Sequence, residues 1–358
     1  MAFYNPKMSL NRDLAMLFAR SHFQPSRGVR LADPMTGSGI RATRYLLECP
    51  NIASAIAADN DWKSLLVARN TVALNGLDDR ITLVESDANK LLLDHSGDRF
   101  DLIDLDPFGS PSPFFECALR ATLDKGVIAA TATDMAPLTG ARHAACLRKY
   151  GITPVRTEFE KEMAVRILSG NLVISAGKLE LGIEIVFSHA TDHYVRIYAE
   201  VSKGKAQANR SAASLGYVEY CPKCLMRVSR RSLSDIQNSC DNCGTRTEVG
   251  GPLWLGRLWD EFTVRQMIDQ TPALVSSRLS VVQNILSTIA EEQNTPEFYY
   301  RTDSISKALF MKPPALPRVL ARLRESGYRA SRTHFHPVGF RTDARIGELR
   351  SVLRAFEA

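Results

Sequence analysis

The chain lacks the marks of export and of membrane insertion. Met1-Ala2-Phe3-Tyr4-Asn5-Pro6 has neither the basic stretch nor the apolar stretch of a secretory leader. No uninterrupted apolar run is long enough to cross a bilayer. Internal repeats and low-complexity tracts are also missing, which excludes solenoids and compositionally biased tails. Charge of one sign is not abundant either: 45 Lys and Arg against 39 Asp and Glu leave a formal net charge of +6. These absences point to a cytoplasmic globular protein with no membrane partner and no evident obligate protein partner. Its 358 residues suffice for two domains and a sizeable core.

The modest charge is unevenly placed. Residues 301–358 hold twelve Lys and Arg against five Asp and Glu, so the positive excess is C-terminal. A concentrated basic segment suits a polyanionic partner, although a solvated face has the same composition. Seven cysteines sort by spacing. Cys49, Cys117 and Cys146 stand alone in apolar or helical surroundings and read as small core residues. Cys221, Cys224, Cys240 and Cys243 form two Cys-x-x-Cys pairs fifteen residues apart. In a cytoplasmic chain this pattern reads as a four-thiolate zinc site, with Gly244 in the turn after the second pair. Four sulfurs leave no open coordination position, so the expected role is structural.

From the N-terminus, Ser9 or Asn11 is placed to cap a helix through Leu14–Arg20. Apolar strands follow at 29–32, 53–58, 81–84, 100–105 and 126–132, with helices expected at 40–47 and 64–75. Alternation of this kind predicts an α/β fold built on a doubly wound parallel sheet. Segments 183–187 and 194–201 alternate like an antiparallel pair that closes it. The small, polar, basic stretch 202–213 reads as a linker, dividing a domain of residues 1–204 from one of 205–358. Beyond it come the cysteine turns at 221–243, helices from about Leu258 and Ser280, and a winged-helix-like segment at about 300–345. There Leu316, Val319, Leu320 and Leu323 form one apolar stripe, with Arg318 and Arg322 off it.

Every polar cluster of interest falls just after a strand, where such sheets bind ligands. Asp33-Pro-Met-Thr-Gly-Ser-Gly39 joins a strand to a helix as a nucleotide-binding loop does, and alone it is a weak signal. Asp59 or Asp61, after the second strand, can accept from ribose hydroxyls. Asp87-Ala88, after the third, can hold an adenine edge. Asp106-Pro107-Phe108, after the fourth, is what a nicotinamide enzyme does not need. An exocyclic base amine is a poor nucleophile because its lone pair is delocalised into the ring. A carboxylate that accepts its N–H, beside an aromatic ring that stacks the base, suits transfer of a methyl group to it.

Several strings together resemble the tRNA (guanine-26, N2) dimethyltransferase family. They are Phe3-Tyr-Asn-Pro6 with Asn11-Arg-Asp13, Asp33-Pro-Met-Thr-Gly-Ser-Gly-Ile-Arg41, Asn60-Asp61, Asp106-Pro-Phe-Gly-Ser-Pro111 and Thr131-Ala-Thr-Asp-Met-Ala-Pro-Leu138. Asp192-His-Tyr-Val-Arg196 and Gly251-Pro-Leu-Trp254 resemble it too, and the likeness spans roughly residues 3–344. It implies a Rossmann-like class I methyltransferase sheet with a second α+β domain, S-adenosylmethionine as methyl donor and tRNA as substrate. The products implied are N2-methyl- and N2,N2-dimethylguanosine. Arg12, Arg41, Asp61, Asp87 and Ala88 match the family's cofactor contacts, and Asp106 its catalytic aspartate. Phe3 and Phe108 match two rings that would stack the target guanine. The alternatives are another RNA base N-methyltransferase and a non-catalytic RNA-binding protein on the same fold.

Overall fold

A computed structural model describes residues 5–24, 26, 28–191 and 193–356; Phe3 lies outside the described residues. Seven strands form the main sheet: β1 Val29–Asp33, β2 Ile52–Asp59, β3 Ile81–Glu85, β4 Phe100–Leu105, β5 Thr122–Ala132, β6 Leu181–Thr191 and β7 Tyr194–Lys203. Their order is β3-β2-β1-β4-β5-β7-β6. The first five are mutually parallel, and β7 runs antiparallel between β5 and β6. This is the sheet expected from the alternation of apolar runs. Helices on both faces bury it, which is why β4 is buried at all six positions, even at Asp101 and Asp104. Strand order reverses between β1 and β4, and such a switch point opens a crevice at the carboxyl ends of the strands.

Three expectations are corrected. The first helix spans Ser9–His22 after a 3-10 turn at Pro6–Met8, and neither Ser9 nor Asn11 caps it. Asn5 caps the turn instead, accepting from the Lys7 amide at 3.0 Å. Asn11 is wholly buried within the helix, and its Nδ2 donates to Thr131 Oγ1 at 3.4 Å. Secondly, β5 begins at Thr122, because the register against β4 jumps from Phe100↔Thr122 to Leu102↔Val127 and absorbs the turn-like Asp124-Lys125-Gly126. Thirdly, the stretch read as a linker is ordered. Lys205–Ala212 is a helix docked on β6, where Ser211 Oγ accepts from the Ile183 amide at 2.7 Å and donates to its carbonyl at 3.0 Å. Close approach needs Gly182: a Cβ there would lie 2.6 Å from Gln207. Small residues that look like linker composition serve here as a packing surface.

The C-terminal half carries two small antiparallel sheets. β8 Leu215–Tyr220, β9 Arg227–Arg230 and β10 Glu248–Trp254 are ordered β10-β8-β9 and hold the cysteine turns. Helices Glu261–Gln270 and Leu279–Glu292 follow. Then come β11 Tyr300–Arg301, helices Thr302–Leu309 and Leu316–Glu325, β12 Ala330–Arg332 and β13 Gly339–Thr342, with sheet order β11-β13-β12. Two helices followed by the β12–β13 hairpin thus occupy this segment. Val319, Leu320 and Leu323 are core, and Arg318 and Arg322 are exposed. Among the described residues no helix is long and apolar enough to cross a membrane.

Candidate active site

At the switch point a cavity of about 780 Å³ opens, lined from β1, β2, β3 and β4 and from the first helix. The glycine loop forms its floor. Gly39 takes the left-handed conformation (φ 75) at the start of helix Ile40–Glu48, and a Cβ there would meet Ala68 at 3.0 Å. The two acidic candidates after β2 separate cleanly. Asp59 Oδ2 accepts from the Gly37 amide and Oδ1 from the Asp61 amide, both at 2.9 Å, so its carboxylate ties the loop to the end of β2. Asp61 is exposed to the cavity and caps helix Trp62–Leu74. It accepts from the Lys63 amide and Ser64 Oγ, each at 3.1 Å, and these bonds hold its carboxyl below the usual range. A carboxylate has lone pairs left for two hydroxyls after such capping.

Asp87 caps helix Ala88–Asp94 through the Asn89 and Lys90 amides at 2.9 and 3.1 Å. Ala88, buried at the first helical position, lines the same cavity, and its N–H has no intrahelical acceptor. Arg12, from the first helix, also lines the cavity, and its Nη2 donates to the Asn5 carbonyl at 3.3 Å.

Asp106 stands at the carboxyl end of β4, partly buried, and its Oδ2 is paired with Arg41. Arg41 also reaches Asp104 Oδ2 at 3.3 Å, so it bridges the two aspartates. Asp104 is fully buried, and the same oxygen accepts from Arg196 Nη2 at 2.7 Å and Tyr45 OH at 2.8 Å. Arg196 is anchored further by Thr131 Oγ1 at 2.6 Å and Tyr198 OH at 2.9 Å. Burial opposes ionisation of Asp104, but Arg196 and Arg41 outweigh it and hold the carboxyl low. Asp33 behaves oppositely: burial and the nearby Asp104 push it up to about 7, against Arg41 and the Thr36 hydroxyl. The cluster therefore balances two anions, Asp104 and Asp106, against two cations, Arg41 and Arg196.

Phe108 lies two residues on, 83% exposed at the cavity mouth. Its loop is stitched to the end of β5: the Gly109 amide donates to Thr133 Oγ1 at 2.8 Å, and the Thr133 amide to the Gly109 carbonyl at 2.9 Å. The fold thus brings together Arg12, Arg41, Asp61, Asp87, Ala88, Asp106 and Phe108. Asp33, Asp104 and the role of Arg196 escaped the sequence reading. Their one signal was a charge inside an otherwise apolar strand, as in Phe100-Asp-Leu-Ile-Asp-Leu105 and Tyr194-Val-Arg-Ile-Tyr198.

The four cysteines meet elsewhere, in the second sheet. Their Sγ atoms all lie within 4.8 Å of one another, with Cys221–Cys243 at 3.5 Å and Cys224–Cys240 at 3.4 Å. Each pair sits on a tight turn. The Leu225 amide donates to the Cys221 carbonyl at 2.9 Å, and the Gly244 amide to that of Cys240 at 2.8 Å. Gly244 takes the left-handed position expected of it (φ 68), and Leu225 takes the equivalent one (φ 66).

A parallel sheet with one antiparallel strand inserted before its edge, and a glycine-floored cavity at its switch point, defines a Rossmann-like class I methyltransferase. Comparisons narrow this. Residues 1–354 match the family described as N2,N2-dimethylguanosine tRNA methyltransferase. The tRNA (guanine(26)-N(2))-dimethyltransferase of Methanothermobacter thermautotrophicus is 34% identical over 353 residues, 98% of this chain and 92% of that protein. The tRNA (guanine(26)-N(2)/guanine(27)-N(2))-dimethyltransferase of Aquifex aeolicus is 33% identical over 351 residues, 97% and 88% of the two. The solved structure of Trm1 from Pyrococcus horikoshii with S-adenosyl-L-methionine is 31% identical, covers 98% of this chain and 94% of that one, and superposes with a TM-score of 0.88. The chain belongs to the N2,N2-dimethylguanosine tRNA methyltransferase family.

Proposed function

We propose that this chain transfers methyl groups from S-adenosylmethionine to the exocyclic N2 of guanine 26 in tRNA, the position its relatives' names specify, forming N2-methyl- and N2,N2-dimethylguanosine. The observation that carries this reading is the Asp106 carboxylate, fixed by Arg41 in the cavity beside the exposed Phe108 ring. The cavity suits the cofactor in size and donor set. Asp61 is positioned for the ribose hydroxyls, Asp87 and the Ala88 amide for the adenine edge, and Arg12 for the anionic end. When bound, S-adenosylmethionine supplies an electrophilic methyl carbon. Phe108 stacks the guanine after it leaves its helix. Asp106 accepts an N2–H hydrogen bond, favours a pyramidal nitrogen, and receives the proton that the nitrogen sheds on alkylation. Arg41 and Asp104 hold that carboxylate in place. Incubation with unmodified tRNA followed by nucleoside mass spectrometry is the test. Methylguanosines at N2 are expected, and methylation of adenine alone, or of nothing, overturns the reading.

Asp61→Ala is expected to weaken S-adenosylmethionine binding roughly tenfold or more, because a ribose hydroxyl pair loses its charged acceptor. Calorimetry on both variants decides the assignment, which fails if Asp59→Ala weakens binding and Asp61→Ala does not.

Cys221, Cys224, Cys240 and Cys243 are proposed to hold a structural zinc ion. Zinc–sulfur bonds of about 2.3 Å set tetrahedral S···S separations near 3.8 Å, and the four Sγ atoms bracket that distance. Protein purified without added metal should carry one zinc per chain, and Cys221→Ser should lower both zinc content and melting temperature. Four freely reactive thiols in the native protein would count against it. Residues 205–358, with the basic excess and the winged-helix-like unit, are proposed as the part that docks tRNA.

A further inference from the structure

Phe310 is 98% exposed and sits in the left-handed backbone region (φ 60, ψ 36) at the C-terminus of helix Thr302–Leu309. Both features are unfavourable for a phenylalanine. The position normally falls to glycine, because a Cβ crowds the preceding backbone. The chain contains its own control. Phe298 also takes a left-handed conformation (φ 64), but it is 2% exposed and packs on Phe159 and Arg166. Burial accounts for Phe298; among the described residues no packing contact requires a ring at Phe310.

The surroundings say what the ring fits. Phe310 occupies the turn between helices Thr302–Leu309 and Leu316–Glu325, flanked by the exposed Lys307 and Lys312. From 304 to 324 the chain carries five Lys and Arg and no Asp or Glu. The turn itself is fixed, since the Phe310 amide donates to the Lys307 carbonyl at 3.2 Å and the Met311 amide to that of Ser306 at 3.0 Å. An exposed ring on a fixed turn, with a lysine three residues before it and another two residues after it, matches a nucleobase with its adjoining phosphates. A protein partner would need a matching acidic rim as well as an apolar pocket.

We propose that the Phe310 turn is a second contact with the tRNA, in which the ring stacks on an unpaired or stack-terminal base other than the methylated guanine while Lys307 and Lys312 take phosphates. Phe310 is not among the residues lining the catalytic cavity, so this contact contributes to docking and not to methyl transfer. The inference rests on tRNA being the substrate. The experiment measures binding of unmodified tRNA at several salt concentrations, and single-turnover methylation at saturating tRNA. Phe310→Ala should weaken binding roughly 5- to 100-fold with an unchanged salt slope and near-normal single-turnover transfer. Phe310→Trp should keep the affinity, and its added indole emission should change when tRNA binds. The double variant Lys307→Ala, Lys312→Ala should instead flatten the log–log salt slope by roughly 2, about 0.9 for each phosphate lost. Wild-type affinity in a correctly folded Phe310→Ala protein overturns the proposal, and so does an effect confined to self-association. Failure of the wild-type enzyme to methylate tRNA would instead remove the substrate reading itself.

Discussion

Asp106→Asn is expected to lower methyl transfer on the order of 10³-fold while tRNA affinity stays within roughly twofold. Asparagine keeps the size and shape of the side chain. Its carbonyl oxygen can still accept from Arg41, which also retains Asp104. What changes is the face toward the substrate. A carboxylate accepts from an N2–H and takes up the released proton, whereas an amide has lost its negative charge and can set a donor against a donor. The ground-state cost of docking guanine is small, because the proposed ring contact with Phe108 and the proposed contacts of the C-terminal half remain. The residue lies on a loop after β4 with part of its side chain in solvent and Arg41 keeps Asp104, so the variant should stay folded, with a melting temperature lowered by the loss of one counter-charge. Single-turnover transfer and equilibrium binding on the same tRNA separate the two quantities. Near-normal transfer would remove Asp106 from the chemistry, and an equal loss in binding would make it a docking residue.

Much of this site was legible because it is built from short, local signals. The glycine loop, Asp61, Asp87 and Asp106 each follow an apolar strand within a few residues, and a parallel sheet gathers the carboxyl ends of its strands in one place. The choice between Asp59 and Asp61 was not legible. It depends on which carboxylate the glycine-loop amide claims, a contact between residues 22 apart. The buried ion cluster is further out of reach: Asp104 and Arg196 are 92 residues apart and meet through a strand inserted antiparallel at the sheet's far side. The stretch 202–213 misled for a related reason. Alanine and serine are what an exposed linker and a close helix–strand contact both use, and only the partner strand with Gly182 distinguishes them. The four cysteines needed no such context, since their spacing already encodes two turns.

A second large effect is expected where helix Glu160–Gly177 meets the small sheet β11-β13-β12. Glu162, in helix Glu160–Gly177, is fully buried. Its Oε1 accepts from Arg166 Nη2 at 2.8 Å and the Phe298 amide at 3.0 Å, and its Oε2 from the Tyr299 amide at 3.2 Å. Arg341 on β13 lies 3.0 Å from Oε2 and continues through Glu292 at 2.7 Å to His334 at 2.6 Å. One carboxylate thus ties the helix to the loop before β11 and to β13. Glu162→Gln keeps the volume but leaves Arg166 and Arg341 buried with half their counter-charge. The expected loss is about 3–5 kcal/mol, a fall in melting temperature of roughly 4–7 °C for a chain of this length. Acid should act on the same group. Burial raises the Glu162 pKa, but Arg341 and Arg166 outweigh it and bring it from the usual 4.5 to about 2. A carboxyl depressed on folding stabilises fully above its unfolded value, and the contribution disappears as pH falls toward its folded one. The native protein should therefore lose roughly 3 kcal/mol from this group between about pH 4.5 and pH 2. Glu162→Gln should already lack that part of the acid slope. Denaturant melts of both proteins across this range provide the check, and parallel slopes would mean that Glu162 does not carry the junction's charge balance. Because Glu162 does not line the catalytic cavity, the variant should still bind S-adenosylmethionine below its melting temperature.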